Sequence, residues 1–313
     1  MSTKQPRVGF IGLGAMGSGM AASLLRAGIP VRGYDVNPAA TERLITAGGE
    51  SATSPADVAK DANVLILMVL NNEQADQALF GVEGAASTLA AGSLVMLCST
   101  VAPAYVRSLA ERLEERGLLL RDAPVSGGTA RAAEGQLSIM ASGSPAAFDQ
   151  AAPLLDALAQ NVYRMGDEPG QGSTMKLVNQ VLAGIHIAAA AEAVAFGAKA
   201  GIDPNRIYEV ITNSAGASWM FQNRVPHILA DDFTPQSAVE IWLKDLGLII
   251  DTGKEMHLPT PLTAAAHQLY IMADASGYAR LDDAAVVKVF EKLAGFRVLD
   301  AVVSPSTSNL SNP

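Results

Sequence analysis

The stretch Val8-Gly9-Phe10-Ile11, followed by Gly12-Leu13-Gly14-Ala15-Met16-Gly17, narrows the fold of this chain more than any other. The first four residues predict a buried strand. The small residues from Ala15 to Ala27 predict a helix that can approach its neighbours closely. Three glycines at this spacing are common by chance, and their meaning comes from the strand before and the helix after. In that context Gly12 permits a tight turn, Gly14 lets a ligand reach the backbone, and Gly17 lets the helix pack against the strand. The unpaired N–H groups and positive dipole end of the helix then face a phosphate. Gly12, Leu13, Gly14, Ala15, Met16 and Gly17 therefore read as the seat of a dinucleotide pyrophosphate.

A second strand, Val31-Arg32-Gly33-Tyr34-Asp35, ends in a carboxylate 18 residues after Gly17. A carboxylate there accepts hydrogen bonds from ribose hydroxyls and repels a 2′-phosphate, which favours NAD over NADP. The bland alternative is a structural glycine turn with a solvated aspartate.

Short apolar runs continue to alternate with helical patterns up to Gly166. Strands are predicted at 64–70, 94–98, 118–120, 138–141 and 162–164, and helices at 39–47, 72–80, 103–116 and 145–159. This alternation predicts an α/β domain over residues 1–166, a doubly wound parallel sheet covered on both faces. After Gly166 the β-branched runs stop and helical periodicity takes over, which predicts an all-helical domain over 167–300. Pro169 suits a first helical turn, and the pattern then runs to about Ala200. About 30 residues at 1.5 Å each make a spine helix of about 45 Å joining the domains, with room for a subunit contact. Residues 301–313, rich in Ser, Pro and Asn, read as a disordered tail.

Composition removes several function classes. A chain of 313 residues fits two domains. A net charge of −9 disfavours a nucleic-acid partner. The single cysteine, Cys98, precludes an intrachain disulfide and lies in an apolar run, so it reads as packing. The N-terminus lacks the pattern of a secretory signal, and a cytoplasmic location is expected. The apolar stretch Val181–Ala200 carries His186, Glu192 and Lys199, so it reads as a buried helix rather than a membrane span. His227, His257 and His267 have no acidic or cysteine neighbours at ligand spacing, and no metal is expected.

The chemistry centres on Gly170-Gln171-Gly172-Ser173-Thr174-Met175-Lys176-Leu177-Val178-Asn179. Lys176 and Asn179 stand at i and i+3 and share a helical side. Met175, Val178, Leu182 and Ile185 read as the apolar remainder of that side. A lysine in such surroundings has its pKa lowered and can exchange a proton with a hydroxyl group. A snorkelling surface lysine fits the spacing equally well. Asp122-Ala123-Pro124-Val125-Ser126-Gly127-Gly128 follows a predicted strand. Its N–H groups and the Ser126 hydroxyl suit a carboxylate, although the run is also an ordinary turn. Trp219, in a Gly-Ala-Ser loop, reads either as a pocket wall or as a helix contact. Lys244-Asp245 reads as an exposed charge pair or as part of a site.

Taken together with Lys244-Asp245-Leu246-Gly247-Leu248, these motifs resemble the β-hydroxyacid dehydrogenases, relatives of 6-phosphogluconate dehydrogenase, over about residues 6–300. The resemblance implies a Rossmann domain, a helical second domain, NAD as cofactor, and Lys176 as the catalytic acid–base. It implies that Ser126, Gly127 and Gly128 hold the substrate carboxylate, with Asn179, Lys244 and Trp219 also at the substrate. Val69, Leu70, Gln74, Thr100 and Lys244 match dinucleotide-lining positions, although many relatives carry proline at Leu70. Segments 184–193 and 213–220 look most like the members that oxidise L-threonate at C2. Those members tend to carry histidine at Asn179, which leaves tartronate semialdehyde reduction and 3-hydroxyisobutyrate oxidation as alternatives. A dinucleotide-sensing protein without catalysis is the alternative from another class. A homodimer or homotetramer without membrane or nucleic-acid partners is expected.

Overall fold

The computed structural model describes residues 6–303. The chain divides into two compact units, Met1–Val178 and Asn179–Pro313. The predicted boundary at Gly166 coincides with the end of the last strand, whereas the compact units divide further along, inside a helix.

The first unit is built from strands β1 (Val8–Ile11), β2 (Val31–Tyr34), β3 (Glu50–Ser51), β4 (Val64–Leu67), β5 (Leu94–Leu97), β6 (Leu119–Asp122), β7 (Val125–Ser126), β8 (Leu137–Ser142) and β9 (Ala159–Gly166). Between them run α1 (Ala15–Arg26), α2 (Pro38–Thr46), α3 (Pro55–Ala59), α4 (Asn72–Phe80), α5 (Pro103–Glu114), α6 (Gly128–Glu134) and α7 (Pro145–Leu158). The sheet order is β3-β2-β1-β4-β5-β6-β8-β7, with β9 on β8. The first six strands are parallel. Their order reverses between β1 and β4, the switch point at which such sheets bind dinucleotides.

Alternation along the strands builds the two cores. Phe10, Ile66, Met96 and Cys98 face one side with Met20, Leu24 and Leu154. Ile11, Leu65, Leu67, Val95 and Leu97 face the other with Val58, Val106 and Leu109. Cys98 is 1% exposed, and burial together with the nearby Asp122 charge drives its thiol pKa well up. It is a packing residue.

The sheet departs from the sequence reading at its far edge. β8 runs antiparallel to β6 and β7, so the sheet is mixed rather than wholly parallel. The predicted strand 64–70 ends at Leu67, because the backbone there turns toward side-chain acceptors: Val69 N–H donates to Ser99 Oγ (3.0 Å) and Leu70 N–H to Gln74 Oε1 (2.9 Å). The predicted strand 118–120 extends instead through Arg121 and Asp122, both buried. Arg121 is tolerated inside because its guanidinium lies against the Phe148 ring. Its Nη2 also donates to Ser144 O, and burial, then the neighbouring Arg164, pulls its pKa down to about 9. The short β3, α3, β7 and α6 were not legible as elements, being too brief for periodicity to show.

The second unit contains most of α8 (Gln171–Lys199), then α9 (Pro204–Thr212), α10 (Trp219–Leu229), α11 (Val239–Glu255), α12 (Pro261–Ala275) and α13 (Val287–Ala294). Its described residues contain no strand beyond the isolated bridge Ala238–Asp282. α8 starts at Gln171 and not at Pro169; Gly170, at φ +93°, sets the turn before it. The helix is long and apolar enough to cross a membrane, yet half of its most apolar window is buried within the protein. Gly184 fixes the approach of α11, since a Cβ there would lie 2.8 Å from Leu246 and 2.9 Å from the Trp242 ring. Tyr270 stacks on Trp242 and donates to Gly184 O at 3.1 Å.

A buried polar cluster ties three segments of this unit together. Asp283 accepts from Arg224 and, at 2.8 Å, from Trp242 Nε1. His227, which the sequence reading left without an acidic partner, meets Asp282 Oδ1 at 2.9 Å. The two are 55 residues apart, so sequence spacing could not pair them. Residues 301–303 of the expected tail belong to a 3-10 helix, Val298–Val303, and residues 304–313 lie outside the described residues.

Candidate active site

In the first unit, the C-terminal ends of β1, β2, β4, β5 and β6 carry the expected positions. At the end of β1, the three glycines do three different jobs. A Cβ on Gly12, already at φ +93°, would sit 2.3 Å from Met68 O, and one on Gly17 would sit 1.9 Å from Gly12 O. Both must therefore be glycine for the turn to close on β4 and for α1 to pack. A Cβ on Gly14 would meet nothing within 4 Å. Its freedom is toward open space, where a pyrophosphate approaches the backbone, and the residues present fit a dinucleotide.

Asp35, at the end of β2, is half-buried. Its Oδ2 accepts from Leu13 N–H at 2.7 Å and its Oδ1 from Asn37 N–H at 2.8 Å. The carboxylate thus braces the glycine turn, and its remaining lone pairs suit ribose hydroxyls. Val69 and Leu70 follow β4, with Leu70 exposed. Gln74, at the start of α4, spends its carbonyl oxygen on Leu70 N–H, so it shapes this loop through its side chain. Thr100 lies half-buried beyond β5, next to Ser99, whose hydroxyl receives the Val69 N–H.

At the end of β6, Asp122 is 1% exposed. Its Oδ2 accepts from Gly170 N–H (3.0 Å), Ser173 N–H (2.8 Å) and Ser142 Oγ (3.1 Å), and its Oδ1 accepts from Ser173 Oγ (2.7 Å). Burial raises the pKa of this carboxyl above its usual value, and these four donors oppose the rise. They satisfy the first orphan N–H groups of α8 from outside the helix, as a capping carboxylate does. Ser142 Oγ also accepts from Gly172 N–H at 3.0 Å. A Cβ on Gly172 would lie 2.3 Å from Met140 O, so this helix start can press onto β8 only with glycine there.

Lys176 lies on the second turn of α8 and is 7% exposed, which rules out the snorkelling reading. The apolar residues expected to share its side do not. Met175, Val178 and Leu182 are exposed, along the side of α8 away from Lys176. At 100° per residue, the neighbours of Lys176 are Gln180, Ala183 and Ile187. Ser126 ends β7, and Gly127 (φ +138°) and Gly128 (φ +75°) lead into α6. Both glycines sit in backbone conformations that L side chains rarely adopt.

In the second unit, Asn179 is half-buried and its Nδ2 donates to Gln180 Oε1 at 2.9 Å. Gln180 Nε2 donates to Asp245 Oδ2, and Lys244 Nζ pairs with Asp245 Oδ1 at 2.8 Å. The Lys244-Asp245 pair is therefore not the exposed charge pair that was one reading of it, since Asp245 is 2% exposed. Trp219 is the first residue of α10 and more than half exposed, and Ser218 caps that helix by accepting from Phe221 N–H. Among the described residues no group of three or more His, Cys, Asp or Glu could hold a metal ion.

A family profile described as the NAD binding domain of 6-phosphogluconate dehydrogenase matches residues 7–166. A second, described as the NAD-binding domain of NADP-dependent 3-hydroxyisobutyrate dehydrogenase, matches residues 170–290. An L-threonate dehydrogenase of Cupriavidus necator is 50% identical over 283 residues, covering 90% of this chain and 95% of the relative. The chain belongs to the β-hydroxyacid dehydrogenase family. It is an NAD-dependent enzyme of that family, and the alternative of a sensor without catalysis falls away. A 2-hydroxy-3-oxopropionate reductase of Escherichia coli is more distant, 32% identical over 93% of this chain and 99% of its own. Among solved structures, a 3-hydroxyisobutyrate dehydrogenase from Salmonella typhimurium superposes with a TM-score of 0.85. It is 47% identical and matches 90% of this chain and 99% of that one.

The sequence reading gave Asp122 and Gln180 no role of their own, and it took Asp245 only as one half of the Lys244-Asp245 pair. Each works by bonding to a residue distant in sequence or by being buried, and neither property has a local signature. The Asp122 brace yields a test. Each buried donor left unpaired costs about 1–3 kcal/mol. Asp122→Ala should therefore lower stability in urea by about 3–5 kcal/mol. Asp122→Asn keeps an acceptor for the N–H donors and should cost clearly less. Equal losses for the two variants would show that the hydrogen bonds are not what holds α8.

Proposed function

We propose that this dehydrogenase oxidises L-threonate at C2, with Lys176 as the acid–base. The observation that carries the reading is Lys176 itself, a buried lysine on a helix whose start is bonded to the end of β6. The 50% identity to an L-threonate dehydrogenase supports the substrate. When bound, NAD supplies the hydride acceptor. Lys176 Nζ takes the proton of the C2 hydroxyl as the carbon is oxidised and returns it in the reverse direction. The Ser126 hydroxyl and the Gly127 and Gly128 N–H groups hold the carboxylate. Asn179, Lys244 and Trp219 are the residues we assign to the remaining hydroxyls, and Thr100 to the nicotinamide end. Gly12 to Gly17 hold the pyrophosphate, Asp35 the ribose, and Val69, Leu70, Gln74 and Lys244 further parts of the dinucleotide.

The exposed Met175, Val178, Leu182 and Phe196 on α8 support a homodimer or homotetramer. The small soluble substrate supports a cytoplasmic location, without membrane or nucleic-acid partners. A second reading, chemistry at the C3 oxygen of tartronate semialdehyde or 3-hydroxyisobutyrate, draws on Asn179, which occupies a position where the L-threonate enzymes tend to carry histidine.

Three measurements test these assignments. Lys176→Ala should reduce turnover roughly 10²- to 10⁴-fold while NAD affinity stays within about twofold. Normal turnover in a folded variant would remove Lys176 from catalysis. With wild type, kcat/KM for L-threonate should exceed that for 3-hydroxyisobutyrate by roughly 10²-fold or more, because polar groups facing a methyl are left unpaired. The reverse ranking would place the chemistry at C3. Finally, replacing Asp35 by Ser should erode the preference for NAD over NADP at least tenfold, an amount equal to about 1.4 kcal/mol. An unchanged cofactor ratio would confine Asp35 to bracing the turn.

A further inference from the structure

The second unit contains a chain of polar contacts that begins at a buried carboxylate and ends at Asn179. We infer that Asp245 and Gln180 are positioning residues: together they orient the Asn179 amide so that its oxygen faces a hydroxyl of the substrate. The inference rests on the proposed placement of Asn179 at the substrate and deepens it.

Donor and acceptor polarity sets the orientation of both amides. Asp245 is 2% exposed and its Oδ1 pairs with the Lys244 ammonium. An ionised carboxylate only accepts hydrogen bonds. The Gln180 amide lies against Oδ2 and must therefore turn its NH₂ toward Asp245. Its Oε1 is then fixed on the other side, where it can only accept. Asn179 is the group on that side, and it must present Nδ2, which it does at 2.9 Å. Two amides whose ends are interchangeable in isolation thus acquire one polarity from a single charge. The Asn179 Oδ1 is left as an acceptor, which a hydroxyl of the substrate can satisfy by donating and an ionised carboxylate cannot. Through that oxygen Asn179 reads a hydroxyl of the substrate.

The helices hold this relay in place. Gln180 is 7% exposed and sits one turn before Gly184, where α11 packs on α8 with no room for a Cβ. Trp242 and Leu246, the residues that touch Gly184, flank Lys244 and Asp245 on α11. The register that brings the Trp242 ring onto Gly184 also brings Asp245 to Gln180. The relay is thus set by packing and does not depend on a flexible loop.

The test uses the full-length enzyme and two near-isosteric variants, Gln180→Met and Asp245→Leu, alone and combined. Kinetics are measured with L-threonate and with D-2-hydroxybutyrate, which has the same configuration at C2 but lacks the C3 and C4 hydroxyls. For L-threonate, each single variant should raise KM roughly 10- to 100-fold with kcat within about threefold. Activity on D-2-hydroxybutyrate should fall clearly less than activity on L-threonate, so the preference for L-threonate collapses. The double variant should be no worse than the poorer single one, because one pathway is cut twice. Equal losses on both substrates, additive losses, or unchanged KM would overturn the proposal. If Gln180→Met does not fold, Gln180→Asn, which keeps the amide but loses its reach, carries the same expectation. A readout without substrate separates this inference from the proposed function. In NMR spectra of wild type, the Gln180 side-chain NH₂ should exchange slowly with solvent, and faster in Asp245→Leu. Slow exchange in wild type with no turnover of either acid would sink the substrate reading and leave the relay standing. Unchanged exchange in Asp245→Leu would sink the relay.

Discussion

The bond between the Asp122 carboxylate and the first turn of α8 is the constraint on which the first unit depends. A buried charge is costly unless its lone pairs are filled, and here two backbone N–H groups and two hydroxyls fill them. The same bonds satisfy N–H groups that a helix start leaves orphaned. One carboxylate therefore solves two desolvation problems at once, and neither side can move without exposing both. The consequence for chemistry is positional. Lys176 lies one turn beyond Ser173, so its place relative to the end of β6 is set by a bond that does not involve it.

The glycines of the site act in the same spirit, by what they exclude. Gly12 and Gly17 allow the turn and α1 to close, Gly172 lets α8 press onto β8, and Gly184 lets α11 press onto α8. At each a methyl group would collide with backbone or with a packed side chain. Gly14 differs in having open space before it, and that difference separates the glycine that a ligand needs from those the fold needs. In the second unit the packing at Gly184 also decides which polar groups meet. The Gln180–Asp245 contact follows from helix register, and the buried Asp283 and Asp282 bind Arg224, Trp242 and His227 in the same unit. Charge in this protein is placed inside where it fixes geometry.

Much of the candidate site was legible in the sequence because its parts are local. The glycine turn, Asp35 at the strand end, and Lys176 and Asn179 at i and i+3 are short-range patterns, and backbone periodicity converts them directly into shared positions. The buried strands β1, β2, β4 and β5 and the helices α1, α2, α4, α5, α7 and α8 followed from apolar runs and helical periodicity for the same reason. What the sequence could not carry was pairing over distance. The antiparallel β8 requires knowing that β7 turns the chain back, and two-residue strands leave no period to read. The buried Arg121 and Asp122 look like the polar end of a strand until Phe148 and the α8 start are placed against them. Met175, Val178 and Leu182 were assigned to the side of Lys176 on composition, although 100° per residue puts them on the other.

The sequence by itself determined the class of fold, the glycine turn and which lysine we propose for the chemistry, because each depends on residues within one turn or one strand of each other. Only the tertiary structure decided that Lys176 is buried, that Asp122 holds its helix, and that Asp245 reaches Asn179 through Gln180. Burial and hydrogen-bond partnership are properties of which elements pack together, and residues 48 to 65 positions apart acquire them only when the chain has folded.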